Sequence, residues 1–174
     1  MKITKIHSVP ISFRVPENNN VRLGIGRAVK RDAVLVKVET SEGIVGWGEA
    51  HHGRCPGAIA KLIDTTISEL AVGMGACQTV DVWDKVYRMQ LASHVMGYAS
   101  VMALSGLDLA LWDIRAKSLD LPLYRLLGGK KGPIPAYAGG ISLGWQEPKK
   151  LAEEARMHVE TGYRALKLLS LIHI

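Results

Sequence analysis

Apolar residues alternate with polar ones in the first third of the chain and then recur at helical spacing, so the period of the pattern divides the sequence before any motif is considered. Residues 2 to 13 and 33 to 40 alternate as half-buried strands do, with Val34, Val36 and Val38 on one side and Leu35, Lys37 and Glu39 on the other. Ser41-Glu42-Gly43 is a turn signal and Ile44 to Ala50 returns as a third strand, which predicts a hairpin over 33 to 50. Three antiparallel strands then form a small sheet with one face to cover. Residues 14 to 32 lie between the first two strands, are rich in Asn and Gly, and read as a long loop of the kind that is functional or mobile.

Beyond the sheet the pattern turns helical. Pro56 stands where a helix accepts a proline, and Ile59, Leu62, Ile63, Ile67 and Leu70 form a stripe that ends at Gly73. Thr79 reads as an N-cap for a second helix carrying Val82, Trp83, Val86, Tyr87 and Met89. A third helix spans about 98 to 119, with small residues Ala99, Ala103, Gly106 and Ala110 in a row that lets another element approach closely. Asp108 and Asp113 are offset by five residues, which puts them on different helix faces and favours hydrogen-bonded or solvated carboxylates over a catalytic pair.

Leu127-Gly128-Gly129 and the following Lys-Lys-Gly-Pro mark a boundary near residue 130. Ile134 to Ala138 reads as a strand, Pro148 to Glu160 as a helix closed by Thr161-Gly162, and Tyr163 to Leu169 as a second strand. Strand, helix, strand is the opening of a parallel α/β domain.

Composition narrows the class. With 48% hydrophobic and 22% charged residues the chain is a folded protein, and 174 residues suffice for one ordinary domain or for a small domain plus part of a second. No stretch is apolar for long enough to span a membrane, and the first residues lack a secretory pattern, which predicts a cytoplasmic protein. Cys55 and Cys77 fit neither a metal spacing nor a disulfide framework and are expected as reduced thiols. The net charge of +6 is spread over pairs such as Lys30-Arg31, Lys130-Lys131 and Lys149-Lys150, expected at turns or helix starts. That scatter argues against nucleic acid, while favouring attraction of a small anion. Gly24-Ile25-Gly26 is loop flexibility and not a nucleotide fingerprint, since no βαβ unit frames it.

Three strands, three helices and the start of a β/α repeat is the element order of the enolase superfamily. The third-helix stretch ALSGLDLALWDIRAKSLDLPLYRLLGG, residues 103 to 129, resembles the helix signature of its mandelate racemase and muconate-lactonizing group. GIVGWGEA at 43 to 50 is similar to the hairpin of that family's capping domain, and GYRALK at 162 to 167 to its second barrel strand. The resemblance implies an α+β capping domain over residues 1 to 125, a three-stranded antiparallel sheet plus a helical bundle. Residues 130 to 174 would then hold the first β/α units of an incomplete (β/α)7β TIM-like barrel.

Family members remove the proton α to a carboxylate, and magnesium with a lysine or histidine base holds the charge that develops. The resemblance therefore implies Mg2+ in the full-length parent. The family's metal ligands come from barrel strands beyond this sequence, so no metal-ligating residue is expected here. Lys167 falls at the first lysine of the family's Lys-x-Lys motif, which neutralises the substrate carboxylate, whereas the second motif position is Leu169, which cannot take a proton. An ordinary surface lysine is the other reading of Lys167.

The family's capping domain sets substrate choice through two loops, here residues 14 to 32 and 50 to 57. The second reads AHHGRCPG and brings His51, His52 and Arg54 close in sequence as donors to a sugar acid, or leaves the histidines as an exposed loop pair. Arg22 and Arg27 are weaker candidates in the first loop. Tyr137, at the expected end of the first barrel strand, lines the pocket or packs in the core. Together these features predict a magnesium-dependent acid-sugar dehydratase in the parent, with a racemase, epimerase or cycloisomerase of the same group as the alternative. A non-catalytic truncated fragment is the reading from another class. The partners implied are a small carboxylate substrate, a sugar acid, and further copies in a homo-oligomeric parent, with no nucleic acid and no membrane.

Overall fold

The structure, a computed structural model, describes residues 1–23, 26–94, 96–139 and 147–167; for Asn19, Val21, Arg22, Leu23 and His94 it describes the backbone alone. The chain forms two compact units, residues 1–13 with 32–130 and residues 14–31 with 131–174.

In the first unit β1 (Ile3–Arg14), β4 (Lys30–Thr40) and β5 (Val45–Ala50) form a sheet of order β1-β4-β5. The expected hairpin is present: β4 and β5 are antiparallel from Val34↔Ala50 to Glu39↔Val45, and Gly43 closes the turn at φ +80°. A φ of that sign suits glycine because it has no Cβ to clash. Val34, Val36 and Val38 are fully buried on the helix-facing side, as their alternation requires. β1 keeps the pattern less strictly. Its buried residues Ile3 and Ile6 are three apart, and Ile11 and Phe13 are exposed. Lys30 and Arg31, expected at a turn, lie in the extended backbone of β4.

α1 (Pro56–Leu62) begins with its proline in the first turn and continues through a wide π turn, Ile63–Ile67, into α2 (Ser68–Ala71). Ile59, Ile63, Ile67 and Ala71 are buried at every fourth residue. A spacing of four drifts about 40° per repeat around a helix of 3.6 residues per turn, and the wider turn takes up part of that drift. After Gly73 the chain runs beside the start of β1, where Ile3 N–H donates to the Met74 carbonyl and Gly73 N–H to the Ile3 carbonyl, each at 2.9 Å.

α3 (Thr79–His94) starts with Thr79, but not as that residue's side-chain cap. The Gln78 carbonyl accepts from Val82 N–H at 3.0 Å, so Thr79 is already helical, and its buried hydroxyl has no partner among the described residues. Thr79 is buried at 2% exposure and does not cap the helix. Val82 and Val86 fill the core, and buried Gln90 is satisfied by the Ser100 hydroxyl at 3.1 Å.

α4 (Tyr98–Ser118) is the central helix, its Ala103, Leu104, Gly106, Leu107, Ala110, Leu111 and Ile114 buried. The small residues do what their spacing predicts: a Cβ at Gly48 would strike the Gly106 carbonyl and come within 2.8 Å of Ala110 N. The same helix closes part of the free edge of β5. Asp113 Oδ2 accepts from Trp47 N–H at 2.9 Å and from Lys117 Nζ at 2.7 Å, while Lys117 Nζ also donates to the Val45 carbonyl at 2.9 Å. An ion pair thus supplies the donor and acceptor that a neighbouring strand would otherwise bring. After α5 (Leu123–Leu126) the chain turns at Gly128, φ +84°, with Gly129 N–H donating to Tyr124 O and Gly128 N–H to Arg125 O.

In the second unit residues 14 to 31, expected as a loop, contain a hairpin of β2 (Val21–Leu23) and β3 (Gly26–Ala28), with Val21↔Ala28, Arg22↔Arg27 and Leu23↔Gly26 opposite. Gly24 and Ile25, read as flexible, lie outside the described residues. Sparse apolar residues hid these strands. The signal that could have found them is a Gly at the first of two linking positions between short alternating runs. α6 (Pro148–Glu160) spans the predicted residues and ends in a Schellman motif: Tyr163 N–H donates to His158 O, Gly162 N–H to Val159 O, and the His158 and Tyr163 rings meet edge-on at 5.6 Å. The two strands expected around α6 reduce, among the described residues, to one parallel bridge, Ala138↔Leu166. A ladder needs a partner at each successive residue, and Ile134 is exposed. Among the described residues no helix is long and apolar enough to cross a membrane.

Candidate functional site

The loop after β5 is built by two histidines that fold back on their own backbone. Gly53 N–H donates to His51 Nδ1 at 3.0 Å and Arg54 N–H to His52 Nδ1 at 2.9 Å. The rings stack with centroids 4.5 Å apart. A neutral imidazole that accepts through Nδ1 carries its proton on Nε2, so each ring keeps an N–H donor there. The backbone that allows this is strained: Gly53 has φ +54° and Arg54, without a glycine's freedom, φ +62°. A left-handed residue of this kind costs about 1–2 kcal/mol and persists only where its surroundings hold it. A Cβ at Gly53 would lie 3.0 Å from Tyr98 Cε2 and 3.1 Å from Met102 Sδ, so the first turn of α4 backs the loop. Tyr98 and Met102 carried no sequence signal for this role, since apolar residues at a helix start are ordinary core. The structure therefore brings His51, His52 and Arg54 together, with His51 and Arg54 exposed and His52 half-buried.

In the second unit Lys167 and Tyr137 meet. Lys167 N–H donates to the Ala138 carbonyl at 2.9 Å, and its ammonium lies 5.9 Å above the centre of the Tyr137 ring. Tyr137 is 55% exposed in this chain. Leu169 lies outside the described residues. Arg22 is opposite Arg27 in the β2–β3 register, with only its backbone described.

Of the two α4 carboxylates, Asp113 has a structural role. Asp113 is spent on Trp47 and Lys117. Asp108 is half-buried, and burial pushes its carboxyl above the usual range. Cys55 and Cys77 are free thiols. Among the described residues no three His, Cys, Asp or Glu side chains are grouped as metal ligands.

Comparison with known proteins agrees with this architecture. Residues 7–128 match the mandelate racemase / muconate lactonizing enzyme N-terminal domain. A D-galactonate dehydratase family member from Marinomonas sp. is 37% identical over 79% of this chain and 33% of its own length. The arabinonate dehydratase of Saccharolobus solfataricus is 33% identical over 79% of this chain and 37% of its own length. Among solved structures, a member of the enolase superfamily from Polaromonas sp. is 55% identical with a TM-score of 0.90, over 97% of this chain and 44% of that one. The chain thus spans about a third of the length of these curated relatives. With its three-stranded antiparallel sheet, its α4 signature and this match over residues 7–128, the chain belongs to the mandelate racemase / muconate lactonizing enzyme family of the enolase superfamily.

Proposed function

We propose that the whole protein is a cytoplasmic sugar-acid dehydratase: it removes the proton α to a carboxylate and expels the neighbouring hydroxyl as water. The observation that carries this reading is the His51–His52 pair, two stacked rings tied through Nδ1, which leaves each neutral imidazole an Nε2–H donor. Paired donors on a strained loop suit a substrate rich in hydroxyl oxygens, whereas an apolar substrate would leave them unsatisfied. The names of the relatives, a D-galactonate dehydratase family member and an arabinonate dehydratase, support the same class.

Lys167 is assigned to the substrate carboxylate, its ammonium positioned by the Tyr137 ring and by the backbone pairing of residues 138 and 167. A fixed cation there lowers the cost of the negative charge that grows on the carboxylate as the C–H bond breaks. Arg54 adds a further donor beside the histidines. The Cα–H bond breaks, the electron pair becomes the C=C bond of an enol, and the β C–O bond breaks with its oxygen leaving as water. The enol then gains a proton at carbon to give the 2-oxo acid. Magnesium, where the family uses it, would be held by residues other than those described.

The test is incubation of the full-length protein with a panel of aldonic and aldaric acids in deuterium oxide, following α-proton exchange and 2-oxo acid formation. Both are expected for at least one acid. Exchange without a 2-oxo product would replace the dehydratase with a racemase or epimerase, and absence of both would end the reading.

A further inference from the structure

We propose that His51 and His52 form a pH-sensitive latch on the loop after β5: neutral rings hold the loop in the conformation described, and protonation of the rings releases it. The latch regulates the loop that the sugar-acid reading above assigns to substrate, and for its functional meaning it rests on that reading. Each ring ties itself to the backbone two residues further on, His51 Nδ1 accepting from Gly53 N–H at 3.0 Å and His52 Nδ1 from Arg54 N–H at 2.9 Å. Asparagine closes turns in the same way through an amide oxygen that does not titrate. An imidazole accepts only while it is neutral. Protonation puts a hydrogen on Nδ1, so at both bonds a donor then faces a donor.

The surroundings couple the two bonds. They hold consecutive residues in left-handed backbone, Gly53 at φ +54° and Arg54 at φ +62°, and a residue with a Cβ stays there only while its surroundings impose it. The rings are stacked with centroids 4.5 Å apart, so two imidazolium charges would repel each other and the Arg54 guanidinium next in the loop. Behind the loop Tyr98 and Met102 of α4 offer Gly53 an aromatic edge and a thioether, neither of which compensates a cation as a carboxylate does. The other titratable groups beside the rings are Glu49 on β5, Asp32 two residues before the Val34 of β4 that pairs with Ala50, Cys55 at the head of α1, and the Tyr98 phenol. The two acids can offset imidazolium charge but cannot restore an acceptor at Nδ1, so the turns are lost either way. Histidine changes charge within the physiological range, which is what a switch of this kind requires.

The full-length protein, isotope-labelled at its methionine methyls, carries a reporter in Met102, identified by Met102→Leu. As pH falls from about 8 to about 5, the Met102 methyl resonance should shift to a second position as the loop leaves it. His51→Asn with His52→Asn puts an amide oxygen at the same bond distance from Cβ as Nδ1, so its Met102 resonance should keep the neutral-pH position throughout. His51→Gln with His52→Gln sets the oxygen a bond too far out and should show the acid position even at about pH 8. A wild-type Met102 resonance that does not shift, or one that shifts as far in the Asn pair, overturns the inference. If the Asn pair does not fold, imidazole nitrogen spectra of the wild type decide. Nδ1 of both rings gaining its proton in step with the Met102 shift supports the latch, and an Nδ1 already protonated at about pH 8 refutes it. No substrate enters these measurements, so the latch can fail while the dehydratase reading stands, and the reverse.

Discussion

Gly48 packs against Gly106: a Cβ on Gly48 would fall on the Gly106 carbonyl, and one on Gly106 would lie 2.7 Å from Val36 Cγ2, 2.8 Å from Ala50 Cβ and 2.9 Å from Ala50 N. The helix lies on the strand with backbone against backbone. Gly48→Ala and Gly106→Ala should each cost about 2 to 3 kcal/mol, because the atoms in the way are main chain at Gly48 and, at Gly106, the short Val36 and Ala50 side chains and the Ala50 backbone, none of which can turn aside. Gly57→Ala, in α1 with open space around it, should stabilise by up to about 1 kcal/mol. Urea midpoints measured at constant m-value test all three. A Gly106→Ala variant as stable as the parent would show that α4 and β5 do not approach this closely.

The Asp113–Lys117 pair should be coupled in a way that an exposed helical pair is not, since both residues also bond the backbone of β5. Asp113→Ala should cost about 1 to 2 kcal/mol and Asp113→Asn less, because the amide oxygen still accepts from Trp47 N–H. Both side chains are partly exposed, so water screens the ionic part. A double-mutant cycle with Lys117→Met should give a coupling of about 0.5 to 1 kcal/mol. A coupling of zero would assign the edge contacts to independent residues.

Stability should respond to pH in opposite senses at two carboxylates. Burial raises the Asp108 carboxyl above its ordinary value. Between the two values the folded chain holds a proton that the unfolded chain has lost, so stability falls as pH rises through that window. Asp108→Asn should match the parent below the window and exceed it above. Glu39 is lowered, chiefly by the hydrogen bond from Lys37 at 2.8 Å. Its contribution is present above its ordinary value and disappears as pH falls through the depressed one, and Glu39→Gln should remove that dependence. Urea midpoints from pH 3 to 7 give both comparisons. An Asp108→Asn gain that grows toward acid would reverse the assignment.

In the full-length protein Lys167→Met should lower kcat/KM about 100- to 1000-fold, with Lys167→Arg retaining part of the activity because the charge survives. Tyr137→Leu should have a smaller effect, about two- to ten-fold, since a ring beneath an exposed ammonium is worth only about 0.5 to 1 kcal/mol. Steady-state kinetics on the best substrate measure these. An active Lys167→Met enzyme would make Lys167 a surface residue.

Where local chemistry dictates the backbone, the chain was readable. Pro56, Gly43, Gly73, Gly128 and Gly162 mark the starts, turns and stops at which the structure puts them, because a missing N–H or a left-handed φ leaves few residue types to choose from. The valines of β4 disclosed their buried side for a similar reason. Thr79 misled because a hydroxyl beside a helix start fits both a cap and a buried residue of the first turn, and only packing decides. The β2–β3 hairpin was hidden because its short strands carry arginines where a core strand would be apolar. Around the site, sequence named His51 and His52 but could not state their tautomer, which depends on Gly53 and Arg54 N–H groups that only a folded loop aims at Nδ1.

The side chains of Asp113 and Lys117 also govern what the molecule can join. A strand recruits a second chain by offering alternating amides and carbonyls at its rim, and β5 has only six residues with which to do so. With Val45 O and Trp47 N already engaged, too short a run is left over to template an intermolecular ladder. Copies that meet through this sheet must do so at some other border, and severing the Asp113–Lys117 link would open a route to fibrous self-assembly that the wild-type sequence keeps shut.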